Sequence, residues 1–391
     1  MSLETKRDLL ARFRGPYEEA GKPEKGRILD NLCEATGWNR KYAMSALRQL
    51  PLKKRKVVRK RKRRYGLVEE AALHQAWKLS GYLASKRLAP FMEEFLTILE
   101  RHGELTLAES TKKKLSVISA ATIDRLLKRH RNSHPRPLCS TKPGGLLKKQ
   151  IALRMGNEWS EDVPGYCEID TVAHSGGAGD GDFFYTLSLT DVCTGWFEGA
   201  ALRNKSRKET VDRLKSIQKR LPFKILGLDS DNGSEFINYH LKNFCEEQEI
   251  QFTRCRPYHK NDQCRVEQKN SSVVRRHLGY GRFDTEEHFK LLSKGHALIR
   301  FLVNYFEPSL KKMPRDKEGN RPPTTAKTPY KRLVEAEILT EAQYQDLQET
   351  YLLLNPVALR NDLHEVTIQL LMMESSVRFL NEATEDLRSG F

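Results

Sequence analysis

A chain of 391 residues with 38% hydrophobic content is long enough for two or three domains, since single cores rarely grow past about 250 residues. No run of about 18 apolar residues occurs, and the charged N-terminus MSLETKRDLLARFRG lacks a secretory hydrophobic region, so neither a membrane span nor export is expected. The net charge of +17 is uneven: residues 1–160 carry 36 Lys and Arg against 16 Asp and Glu, and residues 161–391 carry 32 against 35. A front half at +20 calls for a polyanion, because each cation docked on a phosphate releases counterions. Nucleic acid fits, whereas a membrane surface lacks the matching amphipathic basic helix with Trp or Phe on its other face. The seven cysteines are odd in number and form no C-x-x-C pair, so they read as reduced thiols.

Residues 25–36 place Ile28, Leu29, Leu32 and Cys33 at helical spacing, Gly37 offers a turn, and Asn39 caps a second helix through Gln49. Tyr42, Ala43, Ala46, Leu47 and Leu50 form the inner side of that helix, with Arg40, Lys41 and Arg48 outside. Helix, glycine turn and helix make a helix-turn-helix pattern, whose second helix enters a major groove. Residues 53–64 (KKRKVVRKRKRR) hold ten basic residues in twelve and read as a solvated arm that grips phosphates, with Arg59, Lys60 and Arg61 at its centre.

Residues 67–131 are helical again. Leu88, Phe91, Phe95, Ile98 and Leu99 form one apolar stripe, and Ser119 caps a helix carrying Ile123, Leu126 and Leu127 with Arg125, Lys128 and Arg129 outside. The Pro/Gly/Ser-rich stretch 132–149 marks a boundary. From about residue 160 strands appear: Tyr166–Val172, Phe183–Leu189 and Trp196–Leu202, an antiparallel meander. A basic helix over 206–220, a strand at Lys224–Leu228, the Asn232-Gly233 turn, a helix from Ser234 to Gln248, a strand at Ile250–Cys255 and a helix from about Asp262 to His277 complete an α/β domain with a mixed sheet. Two further helices, Phe289–Phe306 and Tyr330–Leu354, flank a Pro-rich charged link. The expected domains are therefore 1–64, 65–135, a linker at 136–160, 161–285 and 286–391.

Three acids sit where such a sheet gathers chemistry. Asp170 lies in the first strand, Asp231 ends the fourth at a turn, and Glu267 lies on the last helix of the domain. Convergent carboxylates repel one another unless a cation sits between them. A hard, oxygen-seeking ion such as Mg²⁺ or Mn²⁺ suits them, and two such ions about 4 Å apart would flank a phosphodiester. Glu168 and Asp229, each two residues earlier on a strand, face the same sides, and spacing alone does not exclude them.

The blocks EID (168–170), LDSDNGSEF (228–236) and NDQCRVEQKN (261–270) resemble the three catalytic blocks of the superfamily of retroviral integrases and insertion-sequence transposases. Asp231 and Glu267 have 35 residues between them, as that superfamily does, and TD–TGW (190–196) and RPYHKND (256–262) resemble its connecting motifs. The resemblance spans about residues 160–285. It implies a ribonuclease-H-like core, preceded by helix-turn-helix modules and followed by a helical tail. It favours Asp170, Asp231 and Glu267 over Glu168 and Asp229 as the ligands of two Mg²⁺ or Mn²⁺ ions.

By the same resemblance Gln263 contacts substrate DNA. Helical spacing puts Asn270 on the face of Gln263, Lys269 reads equally as part of a DNA-facing edge or of a solvated helix face, and Tyr258 and Lys260 sit in the loop before the helix, where a strand-gripping flap would be. The family's zinc module is missing, since His130 and His134 have no C-x-x-C mate. The implied activity is cleavage at the ends of a DNA element and transfer of the freed 3′-hydroxyl into target DNA. The implied assembly is a homo-oligomer on DNA, at the nucleoid in the cytoplasm. The competing readings are a non-catalytic DNA-binding regulator and a junction-resolving nuclease.

Overall fold

A computed structural model describes residues 1–48, 64–130, 162–177, 180–231, 233, 235–255, 264–311 and 324–389. The chain forms two compact units, Met1–Arg64 and Tyr65–Phe391.

In the first unit, α1 (Leu3–Glu19), α2 (Lys22–Thr36) and α3 (Arg40–Arg48) pack around Tyr17, Leu29, Leu32, Ala43 and Leu47. The first of these helices has no counterpart in the sequence reading. Its Ser2 cap accepts a bond from Thr5 N–H, and Leu9, Leu10 and Phe13 complete the small core. Gly37 ends α2 at φ +71°, donating to Cys33 O, a left-handed stop that glycine takes without a Cβ penalty. Arg14 reaches across to the carbonyls of Ala46 and Leu47 and satisfies the free end of α3. Tyr42, expected inside, is exposed instead and meets Trp38 edge-on at 5.0 Å, because Ala43, Ala46 and Leu47 already fill the buried face. Leu50 and the basic arm lie outside the described residues.

The second unit opens with α4 (Leu67–Leu79), α5 (Ser85–Arg101), α6 (Glu109–Ser116) and α7 (Ala120–Leu126). The expected stripe of Leu88, Phe91, Phe95, Ile98 and Leu99 is fully covered, and Ser119 caps α7 by accepting from Thr122 N–H. Then follow β1 (Tyr166–Ala173), β2 (Tyr185–Asp191), β3 (Phe197–Leu202), α8 (Arg207–Gln218), β4 (Gly227–Ser230), α9 (Tyr239–Glu247) and β5 (Gln251–Arg254). The order across the sheet is β3-β2-β1-β4-β5. β1, β2 and β3 pair antiparallel, while β4 and β5 run parallel to β1. This is the mixed sheet of the ribonuclease-H-like fold.

Several boundaries move, two of them for visible reasons. The fourth strand begins at Gly227 rather than Lys224, because Leu226 and Gly227 both donate to Gly165 O before the ladder starts. The helix expected from Ser234 begins at Tyr239, where Asn238 is the stronger cap and accepts from Leu241 N–H at 3.0 Å.

Past the sheet come α10 (Cys264–Lys269), a π-helical turn (Asn270–Arg275) and α11 (Arg276–Leu278), then α12 (Glu286–Phe306), α13 (Pro329–Glu335), α14 (Glu341–Leu353) and α15 (Pro356–Ser389). The expected helix over 330–354 is two, because Thr340 and Gln343 form a capping box that starts α14 afresh. No helix among the described residues is long and apolar enough to cross a membrane.

One continuous hydrophobic core runs from Ala72 on α4 through the sheet to Leu370 on α15. Asn304 closes the outer edge of β3, a strand buried along its whole length, by bonding both the N–H and the C=O of Phe197 at 2.8 Å. Behind that edge the buried carboxylate of Glu198 is matched by Arg220 at 2.7 Å and Arg300 at 2.9 Å. Glu307 gathers Arg276, His277 and Arg360. Burial would raise its carboxyl, but those neighbours and Arg87 outweigh burial and hold it at about 2.

His174 and His296 share the Thr186 hydroxyl, each Nε2 at 2.8 Å. Burial drives both rings far below the ordinary imidazole range, His296 to about 3. Such a ring charges in the unfolded chain first as pH falls, so the unfolded state binds more protons and the fold is weakened between about 6.5 and the folded value. A His296→Gln variant lacks this liability. Its stability relative to the wild type should rise between pH 7 and pH 5 by about 2 kcal/mol. Urea melts across that window check it, and a difference independent of pH would contradict it.

Candidate active site

The parallel register of β1 on β4 pairs Glu168 with Asp229 and Ile169 with Ser230. Continued by one residue, it sets Asp170 beside Asp231, which follows the last residue of β4. Both carboxylates are pushed above the usual range. Asp170 is raised to about 7, first by burial and then by the Asp231 charge, with a further push from Glu267. Asp231 is raised by burial and by Glu235. The site thus holds like charges in a poorly solvated place.

Each carboxylate is held by neighbours. Asp170 accepts from its own strand at Thr171 N–H, 2.7 Å, and from Asn270 Nδ2, 2.6 Å. Ser188, the register partner of Asp170 on β2, donates to Asn270 Oδ1 at 2.6 Å, which fixes the amide so that its NH₂ faces the acid. Asn270 opens the π-helical turn, a wider winding that occurs often at functional positions. Asp231 accepts from Gly233 N–H at 2.9 Å. A Cβ at position 233 would stand 2.9 Å from Asp231 Oδ1 and 2.6 Å from Glu235 Oε2, so the turn needs glycine for this close approach.

The rival acids of the sequence are spoken for. Glu168 is fully buried and accepts from the N–H groups of Arg265 and Val266, at 3.0 and 2.9 Å, and from the Arg265 guanidinium at 3.1 Å. It caps the first turn of α10 and so ties β1 to the helix that carries Glu267. Asp229, also buried, accepts from the Thr253 hydroxyl at 2.7 Å. Asp191, in the TD–TGW segment, bonds Gly165 N–H and both Thr194 donors and shapes the turn from β2 to β3.

Glu267 sits on α10 with its side chain exposed, near enough for its charge to be felt at Asp170. Among the described residues no three His, Cys, Asp or Glu side chains are gathered closely enough to hold a metal ion as they stand. The Asp170–Asp231 pair is the part of the triad that the backbone brings together. Its donors are hard carboxylate oxygens whose repulsion a divalent cation relieves, so the residues fit such an ion.

Two residues that the sequence reading overlooked belong here. Glu235 is buried beside Asp231, four positions on in the same LDSDNGSEF block, and accepts from Thr171 Oγ1 at 2.9 Å. Lys205, one residue before the Ser206 cap of α8, is salt-bridged to Glu235 at 2.7 Å, and its charge reaches Asp170 and Asp231. Spacing offered a faint signal for Glu235 and none for Lys205.

Of the expected DNA-contacting residues, Asn270 lies at the acids. Lys269 lies instead near Glu307 and Arg87, its amine lowered to about 8 mainly by burial. Arg40, Lys41 and Arg48 are exposed on α3, Arg40 being paired with Asp30. Arg125, Lys128 and Arg129 are exposed on α7 and the 3-10 turn after it. Tyr258, Lys260 and Gln263, like Arg59, Lys60 and Arg61, lie outside the described residues.

The family profile of the integrase core domain matches residues 161–260. A curated relative from Sinorhizobium fredii, named "Uncharacterized protein y4rM", is 36% identical over 330 residues, which cover 82% of this chain and 92% of the relative. Similar solved structures include the HTLV-2 integrase catalytic core domain in complex with magnesium, at 15% identity over 38% of this chain and 93% of that one, TM-score 0.30. The BIV integrase catalytic core domain is similar at 18% identity over 44% and 95%, TM-score 0.31. With the integrase core matched on the segment that carries Asp170 and Asp231, and a relative spanning most of its length, the chain belongs to the superfamily of insertion-sequence transposases and integrases.

Proposed function

We propose that this chain is a DNA transposase that cuts the ends of a DNA element and joins the freed 3′-hydroxyl to target DNA. The observation that carries the proposal is the half-buried pair Asp170 and Asp231, brought side by side by the β1–β4 register of an integrase-core sheet, with the Asp231 charge raising Asp170. Asp170, Asp231 and Glu267 would hold two Mg²⁺ or Mn²⁺ ions. When bound, such ions stabilise charge on the phosphodiester and acidify the attacking water or hydroxyl.

The chain's own residues do the positioning. Asn270 fixes one oxygen of Asp170, leaving the other carboxylate oxygen to Thr171 N–H and to a ligand. Glu168 sets the angle at which α10 presents Glu267. The basic front half, with Arg40, Lys41 and Arg48 on one helix and Arg125, Lys128 and Arg129 on another, would grip the element ends. Arg59, Lys60 and Arg61, and Tyr258, Lys260 and Gln263, are proposed as further DNA contacts. Cutting and joining paired ends calls for a homo-oligomer assembled on DNA, in the cytoplasm at the nucleoid.

The open position of Glu267 favours a second reading, a regulator that binds DNA without chemistry. Joining assays on end oligonucleotides separate the two. Asp170→Asn, Asp231→Asn and Glu267→Gln should each lower metal-dependent joining on the order of 10²–10³-fold or more while DNA binding persists. Full joining by these variants, or none by the wild type on any end substrate, would count against the transposase.

Thermal or urea melts distinguish the two kinds of acid. Without metal, Asp170→Asn should melt no lower than the wild type, because it removes a repelling charge. Glu168→Ala should cost about 1–3 kcal/mol by leaving the α10 N–H groups without their acceptor. Equal destabilisation by both would contradict the division of roles. Binding at graded salt tests the front half: neutralising Lys128 or Arg129 should reduce the slope of log K against log salt by about 1 each. An unchanged slope would remove that residue from the interface.

A further inference from the structure

One ammonium, that of Lys205, is bridged to Glu235, and its charge is felt at Asp170 and Asp231. The Lys205–Glu235 bridge is 2.7 Å long, and Thr171, the neighbour of Asp170, donates to the same Glu235 oxygen at 2.9 Å. Glu235 Oε2 and Asp231 Oδ1 both crowd the space over Gly233, at 2.6 and 2.9 Å from where a Cβ would stand. Glu235 is 5% exposed, so its charge is felt by Asp231 through little water.

The loop that presents Lys205 is itself pinned. Arg203 grips Glu286 through two bonds of 2.5 and 2.7 Å, and its N–H donates to Glu209. Ser206 N–H donates to Asn204 Oδ1, and Ser206 caps α8. The Lys205 ammonium lies over the Tyr185 ring, with Nζ 5.2 Å from its centre. Lys205 is therefore delivered to the acids by a fixed loop, not by chance reach from a mobile one.

We propose that Lys205 and Glu235 form a positioning pair that sets how tightly the acid site takes a divalent cation. The ammonium is a counter-charge to the carboxylates, and it opposes an arriving cation. Glu235 holds the ammonium in place and adds a negative charge beside Asp231. This inference rests on the reading of Asp170 and Asp231 as cation ligands and adds a tuning element to it.

The two members of the pair should then act with opposite signs. With the full-length protein free of DNA, Mn²⁺ binding is titrated by calorimetry. Lys205→Met should tighten binding on the order of tenfold, because a unit positive charge near the cation is removed. Glu235→Gln should weaken binding by a similar factor, and the double variant should return near the wild type. Lys205→Arg, which keeps the charge, should stay near the wild type throughout.

Lys205 is 40% exposed along its side chain and glutamine is isosteric with Glu235, so melting curves should show all variants folded. A bridge that merely braces the fold would lower stability in both single variants and leave Mn²⁺ affinity unmoved. Shifts of the same sign, or no shift, would overturn the inference while leaving the cation site standing. A wild-type protein that takes up no Mn²⁺ would overturn both the inference and the proposed function.

Discussion

The structure depends on one pairing: β1 runs parallel to β4 in the register that carries Asp170 and Asp231 to the same edge of the sheet. Parallel strands need a crossover, here α8, and they are buried on both faces, so the two acids emerge where solvent is scarce. The Asp231 charge raises the proton affinity of Asp170, Glu235 raises that of Asp231, and the fold tolerates that strain instead of relieving it. Buried repulsion of this kind is kept where a site has work to do. The surrounding groups manage the charge: Asn270 and Gly233 donate to the acids, and the charge of Lys205, bridged to Glu235, lowers the proton affinity of both.

The same strand also governs the third acid. Two residues before Asp170, Glu168 points to the same side of β1 and closes on the N-terminus of α10, so strand and helix are bonded together. Like charges two residues apart thus have opposite fates. Glu168 is satisfied by two backbone donors and a guanidinium, and it stabilises the fold. Asp170 is left with fewer partners and is available for a ligand. The buried ion networks at Glu198 and Glu307 show the same chain neutralising its interior acids with arginines where no cation is wanted.

Much of this was legible in the sequence because its signals are local. Apolar period and caps located α2, α7 and α8, the meander was plain from β1 to β3, and Ser119 and Gly37 did what their types do. The misses have non-local causes. β4 shifted because Gly165, over sixty residues earlier, takes the first N–H groups. Tyr42 turned outward because three smaller side chains already fill the core of the first unit. Spacing left Glu168 and Asp170 undecided, since a period of two cannot tell which carboxylate a distant helix will claim. Lys205 was invisible for a related reason: its meaning lies in the acids of β1 and β4, and no motif links them.

The central claim is that Asp170 and Asp231 form a cation site. Anomalous diffraction from crystals of the full chain soaked in Mn²⁺ tests it most directly. The expected result is an anomalous peak between the two carboxylates, lost in Asp170→Asn crystals. Mn²⁺ bound only elsewhere, or no peak between the carboxylates at a concentration that supports joining, would contradict the account.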